Sequence, residues 1–587
     1  MNQTRMIFVG IIAVAALIIC GIAGAVFFFG GSDNEPAAIE SAGTFSDANN
    51  VPSDAVLLTI ASSSTKQKWM EQVVENFAAE EATTSSGSRI VVEVAPVLSG
   101  GSMNAILAGD LQPVVWSPGA ASWVAQFDET WQQQTNLSLM SEACPESIYT
   151  PLGFAMWRPM AEALGWPDQP IGWNTIVELS EDPKGWETYG HPEWGKFRFG
   201  HAHPEYSNAG LLTMTSFVYG MTGKTDELMA EEVYAPNVES SLSSLGQNTA
   251  KYGMITTNLL NAMVLQGPRF LHAVATFESD TVRLNLERSE ELRFPMAFVF
   301  PSEGTFWGNH PYCILDKADW VSEEQAEAAA IFRDYLLSEE QQTLAIDSLL
   351  RPLDSSIPLK SPLDLANGTN PEVKPETVPP LAFPDADVSA AVKDLFMLTK
   401  RKSTVLVVLD TSGSMEGERI QTATEATVNF LSRLHPDDEV GVFIFSDGVT
   451  VLGPPSKVSG SIEDLSSRVG TLVADGNTAL YQAVCDATEE AERLQQEDLD
   501  ENENRLYGIV VLSDGEDTIG QPSENQMFTT CLPDQAEADG VKIFPIAFGD
   551  GADESVLKRV ADVTGGNLYK ADPDTIDRIY LRISAEQ

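Results

Sequence analysis

The chain has 587 residues, with 35 Lys and Arg against 85 Asp and Glu, so its formal net charge is −50 at pH 7. A chain this long exceeds what one hydrophobic core usually holds, and two or more domains are expected. The acidity argues against DNA, RNA or an anionic membrane surface as a partner, because each of these demands a basic face.

The first predicted element is a transmembrane helix. Residues 6–30 form an almost unbroken apolar run without a charge, long enough to span a bilayer. Arg5 precedes this run and Asp33 follows it, so the positive-inside rule predicts a cytoplasmic N-terminus and extracytoplasmic residues from 31 onward. A cleaved signal peptide is the alternative, although its apolar core is usually shorter. The sequence therefore predicts an uncleaved single-pass anchor in the cell membrane, followed by a flexible tether over residues 31–55.

An alternation of strands and helices begins at residue 56. Strands predicted over residues 56–60, 90–94 and 114–116 are separated by helices predicted over 66–80 and 102–108. This βαβαβ order predicts a parallel sheet with helices on both faces. A serine-containing loop follows each strand, and a loop that opens a helix can hold an anion or polar solute through its backbone N–H groups. The candidate ligand-binding residues on these loops are Ser62, Ser63, Ser64, Ser102, Trp116 and Ser117.

A similar loop over residues 203–210 also follows a predicted strand and contains a further candidate, Ser207. Residues 309–312 have the form of a hinge strand. With these loops, residues 56–358 resemble the two-lobed extracellular solute-binding proteins. The resemblance implies two α/β lobes that capture a small solute. For each serine loop, the alternative is helix capping without a ligand.

Prolines recur between residues 351 and 384, and a short helix is predicted over 388–399. Residues 359–401 are therefore predicted to be a proline-rich linker or a wrapped segment, semi-rigid in either case.

The last third of the chain concentrates small oxygen-bearing side chains at predicted strand ends. A D-x-S-x-S motif follows the apolar run 404–409, a Gly-Asn-Thr sequence opens a predicted helix at 476–478, and a second apolar strand over 509–512 ends in Ser-Asp-Gly. Open α/β sheets bind ligands at the carboxyl ends of their strands. The alternative is that these residue types only cap helices and form turns. The five candidate metal ligands are Asp410, Ser412, Ser414, Thr478 and Asp514.

In this order, the three loops resemble the metal-ion-dependent adhesion site of the von Willebrand factor A domain, over residues 402–587. One departure is Asn477, which stands where the family often has a second Gly. The resemblance implies an open, Rossmann-like α/β sheet with the candidate ligands on surface loops. The three hydroxyls would bind a divalent cation directly or through water, and the two carboxylates would hold it through water. Mg²⁺ is expected first, with Mn²⁺ or Ca²⁺ as alternatives, because hard cations take oxygen ligands.

Four cysteines follow the predicted anchor. If the domains fold independently, the pairs are Cys144–Cys313 and Cys485–Cys531, and buried free thiols are the alternative. The sequence has no C-x-x-C or Cys/His spacing that would indicate zinc. It also lacks G-x-S-x-G, G-x-x-x-x-G-K-[ST] and H-E-x-x-H motifs, so no catalytic residue is assigned and no enzyme is expected.

These observations favour a membrane-anchored extracytoplasmic binding protein. One domain would capture a small solute, and the other would grip a protein partner that supplies a carboxylate to the cation. An adhesion or complex-assembly factor, in which the solute-binding-like domain is only a scaffold, is the alternative. A metal-dependent hydrolase is a weaker alternative, suggested by Glu516 and Asp517 next to the predicted cation.

Overall fold

The structure is a computed structural model that describes residues 45, 52, 54–501, 504–584 and 586. The predicted anchor at 6–30 and most of the tether lie outside the described residues. Within the described part of the chain, no helix combines the length and the apolar character needed to cross a membrane. The chain divides into two compact units: residues up to 147 with 310–338, and residues 148–309 with 339–587.

The first unit contains the first lobe of the predicted solute-binding domain. Its sheet has the strand order β2-β1-β3-β9 and is parallel except for the last strand. The disulfide Cys144–Cys313 ties the start of the last strand to the segment before residue 147. The strands are β1 (Ala55–Ser63), β2 (Arg89–Val97), β3 (Val115–Ser117) and β9 (Cys313–Ile314). The helices are α1 (Gln67–Ala79), α2 (Ser99–Ala108), α3 (Ala121–Thr135) and α11 (Glu323–Leu336).

The second unit begins with the second lobe. Its mixed sheet has the order β6-β5-β7-β4-β8 and is covered by helices. The strands are β4 (Leu152–Trp157), β5 (Phe199–Ala202), β6 (Thr249–Gly253), β7 (Ala273–Phe277) and β8 (Met296–Val299). The helices are α4 (Arg158–Ala163), α5 (Trp173–Glu181), α6 (Asn208–Thr222), α7 (Ala230–Val233), α8 (Pro236–Gln247), α9 (Thr256–Gln266), α10 (Glu278–Glu287), α12 (Glu339–Asp347) and α13 (Ala386–Thr399).

The proline-rich segment lies against this second lobe. Arg351 donates from Nε and Nη2 to the two carboxylate oxygens of Glu278, each at 2.7 Å, and both side chains are buried. The backbone N–H of Phe298 donates to Gly368 O at 2.7 Å. The helix α13 then packs on α6, α7 and α8. The segment 359–401 is therefore wrapped on the lobe along its length.

The last domain is a six-stranded sheet with the order β12-β11-β10-β13-β14-β15, parallel except for β12. The central strands are continuous apolar runs because helices cover both of their faces. The disulfide Cys485–Cys531 joins a helix to the π-helical turn Met527–Cys531. The strands are β10 (Ser403–Asp410), β11 (Glu439–Phe445), β12 (Val449–Lys457), β13 (Leu506–Ser513), β14 (Lys542–Phe548) and β15 (Tyr569–Ala571). The helices are α14 (Glu418–Leu431), α15 (Val458–Val469), α16 (Leu480–Asp500), α17 (Glu524–Gln526), α18 (Glu554–Thr564) and α19 (Ile576–Ser584).

This domain packs against the second lobe through the amino-terminal edge of its sheet. Leu506, at the start of β13, belongs to the same hydrophobic cluster as the second-lobe core. Lys251 of β6 lies 2.8 Å from the carboxylate of Glu586 and donates to Gly565 O at 3.1 Å. The opposite, carboxyl-terminal edge of the sheet carries the predicted metal ligands.

Candidate functional site

The two predicted carboxylates end neighbouring parallel strands. Strands β10 and β13 pair in register, with Leu409 opposite Leu512, so Asp410 and Ser513 leave the sheet side by side. Asp410 accepts a hydrogen bond from the Ser412 backbone N–H at Oδ1 (2.8 Å) and from Ser513 Oγ at Oδ2 (2.7 Å). This register is what brings the first loop to the third.

The serine hydroxyls bridge the two carboxylate loops. Ser412 Oγ and Ser414 Oγ lie 3.0 Å apart, and Ser414 Oγ donates to Asp514 Oδ1 at 2.6 Å. The D-x-S-x-S motif and the Ser-Asp-Gly end of β13 therefore form one hydrogen-bonded cluster.

Thr478 reaches the same place from the middle loop. Gly476 has a φ of +89°, which favours glycine, and its carbonyl accepts from the Gly413 N–H at 3.0 Å. A Cβ at Gly515 would lie 3.8 Å from Ser414 Oγ and 4.0 Å from Thr478 Oγ1, so both hydroxyls face one spot beside the third loop. The structure thus brings all five predicted metal ligands together.

The loops that carry these ligands reach the surface at Gly413, Gly476 and Asn477, but four of the five ligands are themselves buried. Asp410, Ser412, Thr478 and Asp514 are buried, and only Ser414 is exposed. Burial raises the pKa of Asp410, the charge of Asp514 acts in the same direction, and hydrogen bonds from Ser412 and Ser513 oppose the shift. Two buried carboxylates side by side favour a nearby positive charge.

This donor set fits a hard divalent cation. It offers two carboxylates and three hydroxyls, and Mg²⁺, Mn²⁺ and Ca²⁺ all accept such oxygen ligands. Among the residues that the structure describes, no group of three or more His, Cys, Asp or Glu side chains is placed to hold a metal ion. The fit therefore depends on the hydroxyls as much as on the two acids.

Two contacts at this edge were not predicted. Arg419 Nη1 donates to Asp514 Oδ2 at 2.7 Å, and the Thr478 backbone N–H donates to Thr518 Oγ1 at 2.8 Å. Ser513, which donates to Asp410, also lies at a strand end, so the pattern that predicted the five ligands could have found it. Arg419 has no such signal, because it lies beyond the D-x-S-x-S motif in the following helix.

In the first lobe, three strand-end loops converge on Gly119. Its N–H donates to Ser99 Oγ at 3.0 Å. A Cβ at this glycine would lie 3.5 Å from Ser63 Oγ, 3.6 Å from Ser99 Oγ and 3.9 Å from His310 Cε1. Two hydroxyls and an imidazole therefore lie close together beside Gly119.

A buried lysine, absent from the sequence-based candidates, lies beside these groups. Lys66 Nζ donates to Ser117 O at 2.9 Å and lies 3.3 Å from His310 Nδ1. Burial lowers the pKa of Lys66 well below its usual range, and burial together with the Lys66 charge lowers the pKa of His310. The residues are 244 positions apart in the chain, so no local pattern indicates the pair.

The other predicted ligand-binding residues differ in whether their side chains already hydrogen-bond within the protein. Ser102 Oγ accepts from Trp116 Nε1 at 3.0 Å, and the Trp116 ring is buried against Phe127. Ser117 Oγ donates to Pro311 O at 2.7 Å. Ser62 Oγ is buried without a hydrogen-bond partner in the described part of the protein, and Ser64 is exposed. Ser207 belongs to the second unit, where its Oγ caps α6 by accepting from Gly210 N at 3.4 Å.

Two family profiles match the chain. The bacterial extracellular solute-binding protein family matches residues 58–348, and the von Willebrand factor type A domain family matches residues 405–516. Human inter-alpha-trypsin inhibitor heavy chain H4 is 28% identical over 189 residues, 32% of this chain. The match covers 20% of that relative, so the chain spans about a fifth of its length.

Two solved structures show the corresponding similarity at low identity. Maltose-bound T. maritima MalE3 is 14% identical with a TM-score of 0.38, covering 59% of this chain and 93% of that one. A von Willebrand factor type A protein from Catenulispora acidiphila is 18% identical with a TM-score of 0.27, covering 32% and 42%. The domain assignment rests on the two family profiles, which are those of binding and adhesion domains. The resemblance drawn from the sequence is confirmed: the chain carries a bacterial extracellular solute-binding domain and a C-terminal von Willebrand factor type A domain.

Proposed function

We propose that the protein is a membrane-anchored, extracytoplasmic binding protein that captures a small solute and grips a protein partner through a divalent cation, Mg²⁺ first. The observation that carries the proposal is the convergence of two carboxylates and three hydroxyls at the carboxyl edge of the A-domain sheet. A cation bound there supplies a coordination position that a carboxylate of the partner can fill. The two carboxylates and three hydroxyls would hold the cation at this edge.

Each ligand has a distinct part in this proposal. Asp410 and Asp514 supply the negative charge, and their burial strengthens their attraction for a cation. Ser412, Ser414 and Thr478 supply neutral oxygens whose hydrogen bonds to the acids can be exchanged for coordination. We assign no catalytic step to any of these residues.

The proposal is tested with the full-length chain in detergent. We expect Asp410→Ala and Thr478→Ala to abolish Mg²⁺-dependent capture of a partner, since each removes a ligand. Asp464→Ala, an exposed acid on α15, is the matched control and should bind as wild type. Capture that is equal for both variants and wild type in EDTA would overturn the cation-dependent role.

The solute-binding part is supported by the polar groups of Ser63, Ser99 and His310, which lie close together beside Gly119. A thermal-shift screen against sugars, oxyanions and amino acids tests it, because a ligand that binds only the folded state raises the melting temperature. The anchor over residues 6–30 and the extracytoplasmic placement belong to the same proposal. Fractionation of cells before and after protease treatment of intact cells tests them.

A scaffold role for the solute-binding domain is the second candidate. It is favoured by one observation: Ser102, Trp116 and Ser117 already hydrogen-bond within the first lobe. A flat response across the solute screen, with intact Mg²⁺-dependent partner capture, would select this alternative.

A further inference from the structure

A cationic side chain of the chain itself lies on one of the proposed metal ligands. Arg419, the second residue of α14, donates from Nη1 to Asp514 Oδ2 at 2.7 Å and lies 3.4 Å from Ser414 O. The side chain of Asp514 is fully buried, whereas that of Arg419 is 43% exposed. The guanidinium therefore reaches in from the rim of the site to a carboxylate below it.

Both carboxylate oxygens of Asp514 accept a hydrogen bond within the chain. Its Oδ1 accepts from Ser414 Oγ at 2.6 Å, and its Oδ2 accepts from Arg419. The guanidinium stays charged at any ordinary pH, so its charge is always present at this edge. It would also lie 3.6 Å from a Cβ at Gly549, the residue that follows β14.

We infer that Arg419 is a built-in counter-cation of Asp514 that competes with the divalent cation and so sets the cation affinity of the site. This inference rests on the proposed cation site. In the cation-free protein the guanidinium offsets part of the charge of the two buried acids. When a divalent ion binds, the same guanidinium repels it and holds one oxygen of a ligand, and both effects weaken binding.

The Arg419 side chain is partly exposed, so its contact with Asp514 can break and re-form. Asp514 is fixed by the strand end, but Arg419 sits at the start of a helix with solvent on one side, so its side chain can swing outward while the backbone stays in place. Lysine at this position would keep the charge but lose the forked geometry of the guanidinium. A neutral side chain of similar length would remove the competitor altogether.

The test measures Mg²⁺ and Mn²⁺ affinity of the full-length chain in detergent, by calorimetry for both ions and by electron paramagnetic resonance for free Mn²⁺. We expect Arg419→Gln to bind both ions roughly tenfold more tightly. Arg419→Lys should stay much closer to wild type. Arg468→Gln is the charge-matched control, because it removes one exposed arginine of α15 from the same acidic protein.

A second readout separates competition from a folding defect. In EDTA, Arg419→Gln should melt at a lower temperature than wild type, since two buried acids lose their counter-charge. Its gain in melting temperature on adding Mg²⁺ should be larger than that of wild type. A folding defect would lower both curves equally.

The outcomes distinguish this inference from the proposed function. Tighter binding by Arg419→Gln, with Arg468→Gln unchanged, supports the inference. Cation binding by wild type together with equal or weaker binding by Arg419→Gln overturns the inference and leaves the cation site in place. Absence of binding by wild type and all three variants overturns the proposed cation site, and the inference falls with it.

Discussion

The two edges of the A-domain sheet differ in how completely their charged side chains are paired. At the amino-terminal edge, cationic side chains are matched within the chain: Lys251 pairs with the buried Glu586 at 2.8 Å, and the buried Arg401 pairs with the exposed Asp539 at 3.0 Å. At the carboxyl-terminal edge, two carboxylates are buried, and only one of them, Asp514, pairs with a cationic side chain, the half-exposed Arg419. The first edge is arranged for docking to the second lobe, and the second edge retains negative charge that a cation can complement.

The ion pair at the amino-terminal edge also helps to explain why the second lobe and the A domain form one compact unit. Glu586 receives two hydrogen bonds from Asn567 Nδ2, at 2.8 Å each, in addition to the Lys251 ion pair. Lys251 lies on a second-lobe strand, while Glu586 and Asn567 belong to the A domain. A buried ion pair stabilises only when its remaining hydrogen-bonding positions are filled, and here they are filled from both domains.

The largest expected effect comes from breaking this pair. Lys251→Met leaves the Glu586 carboxylate buried without its cation and should lower the free energy of unfolding by about 3–5 kcal/mol. Urea unfolding followed by tryptophan fluorescence measures the loss.

The matched double variant, Lys251→Met with Glu586→Gln, is the control. It removes both charges and should recover much of the lost stability. A loss below about 1 kcal/mol for Lys251→Met alone would show that the edge is held by its hydrophobic contacts and not by the pair.

An intermediate effect is expected at the other edge. Asp410→Asn removes one of two facing carboxylates while keeping its size, and should weaken Mg²⁺ binding by roughly a hundredfold, because ligand charge tunes affinity in such sites. Burial raises the pKa of Asp410, so the folded protein accommodates its carboxylate less well than the unfolded chain does. The variant should therefore be at least as stable as wild type in EDTA.

Calorimetric titration measures the loss of Mg²⁺ affinity, and melting curves in EDTA measure the stability of the cation-free variant. Glu586→Gln, measured in the same melting assay, should be destabilised, because it leaves Lys251 buried without its carboxylate. If Asp410→Asn lost as much stability in EDTA as Lys251→Met, the acids of the carboxyl edge would be structural and the contrast between the edges would disappear.

The carboxyl edge was largely predictable from the sequence, for a geometric reason. Apolar runs such as 404–409 and 509–512 mark buried parallel strands, and the residues that follow two adjacent strands must meet at one edge. The ligands Asp410 and Asp514 are therefore brought together by strand register. The amino-terminal edge gave no such signal, because Lys251 and Glu586 are far apart in the chain and are joined only by tertiary packing.

Other elements escaped prediction for local reasons. Strand β12 contains Gly453, Pro454 and Pro455, which interrupt the alternation of polar and apolar residues that indicates a strand. The contact of Arg419 with Asp514 depends on the turn Gly413–Met415 and on where α14 begins, which the motif itself does not fix.

The smallest expected effect lies in the second lobe, which supports the matched edge. His272 is buried, and its Nδ1 accepts from Trp186 Nε1 at 3.0 Å and from the Arg198 N–H at 3.1 Å. Burial, with the Arg198 charge, lowers the pKa of His272 to about 3. The unfolded chain, with an ordinary histidine pKa near 6.5, therefore binds more protons than the folded protein between those values. Stability from this group is complete at neutral pH and falls as the pH drops below about 6.5.

We expect this histidine to account for a loss of about 2 kcal/mol in the free energy of unfolding between pH 7 and pH 5. His272→Asn keeps an acceptor near the Nδ1 position and cannot be protonated, so its unfolding free energy should fall less over the same interval. His191→Asn, at an exposed position beside Trp194, is the control. Because the pH-dependent loss is a difference within each variant, the cavity left by the smaller side chain cancels. Equal losses for His272→Asn and wild type would mean that acid destabilises the protein elsewhere, with the matched charges of the amino-terminal edge as the next place to measure.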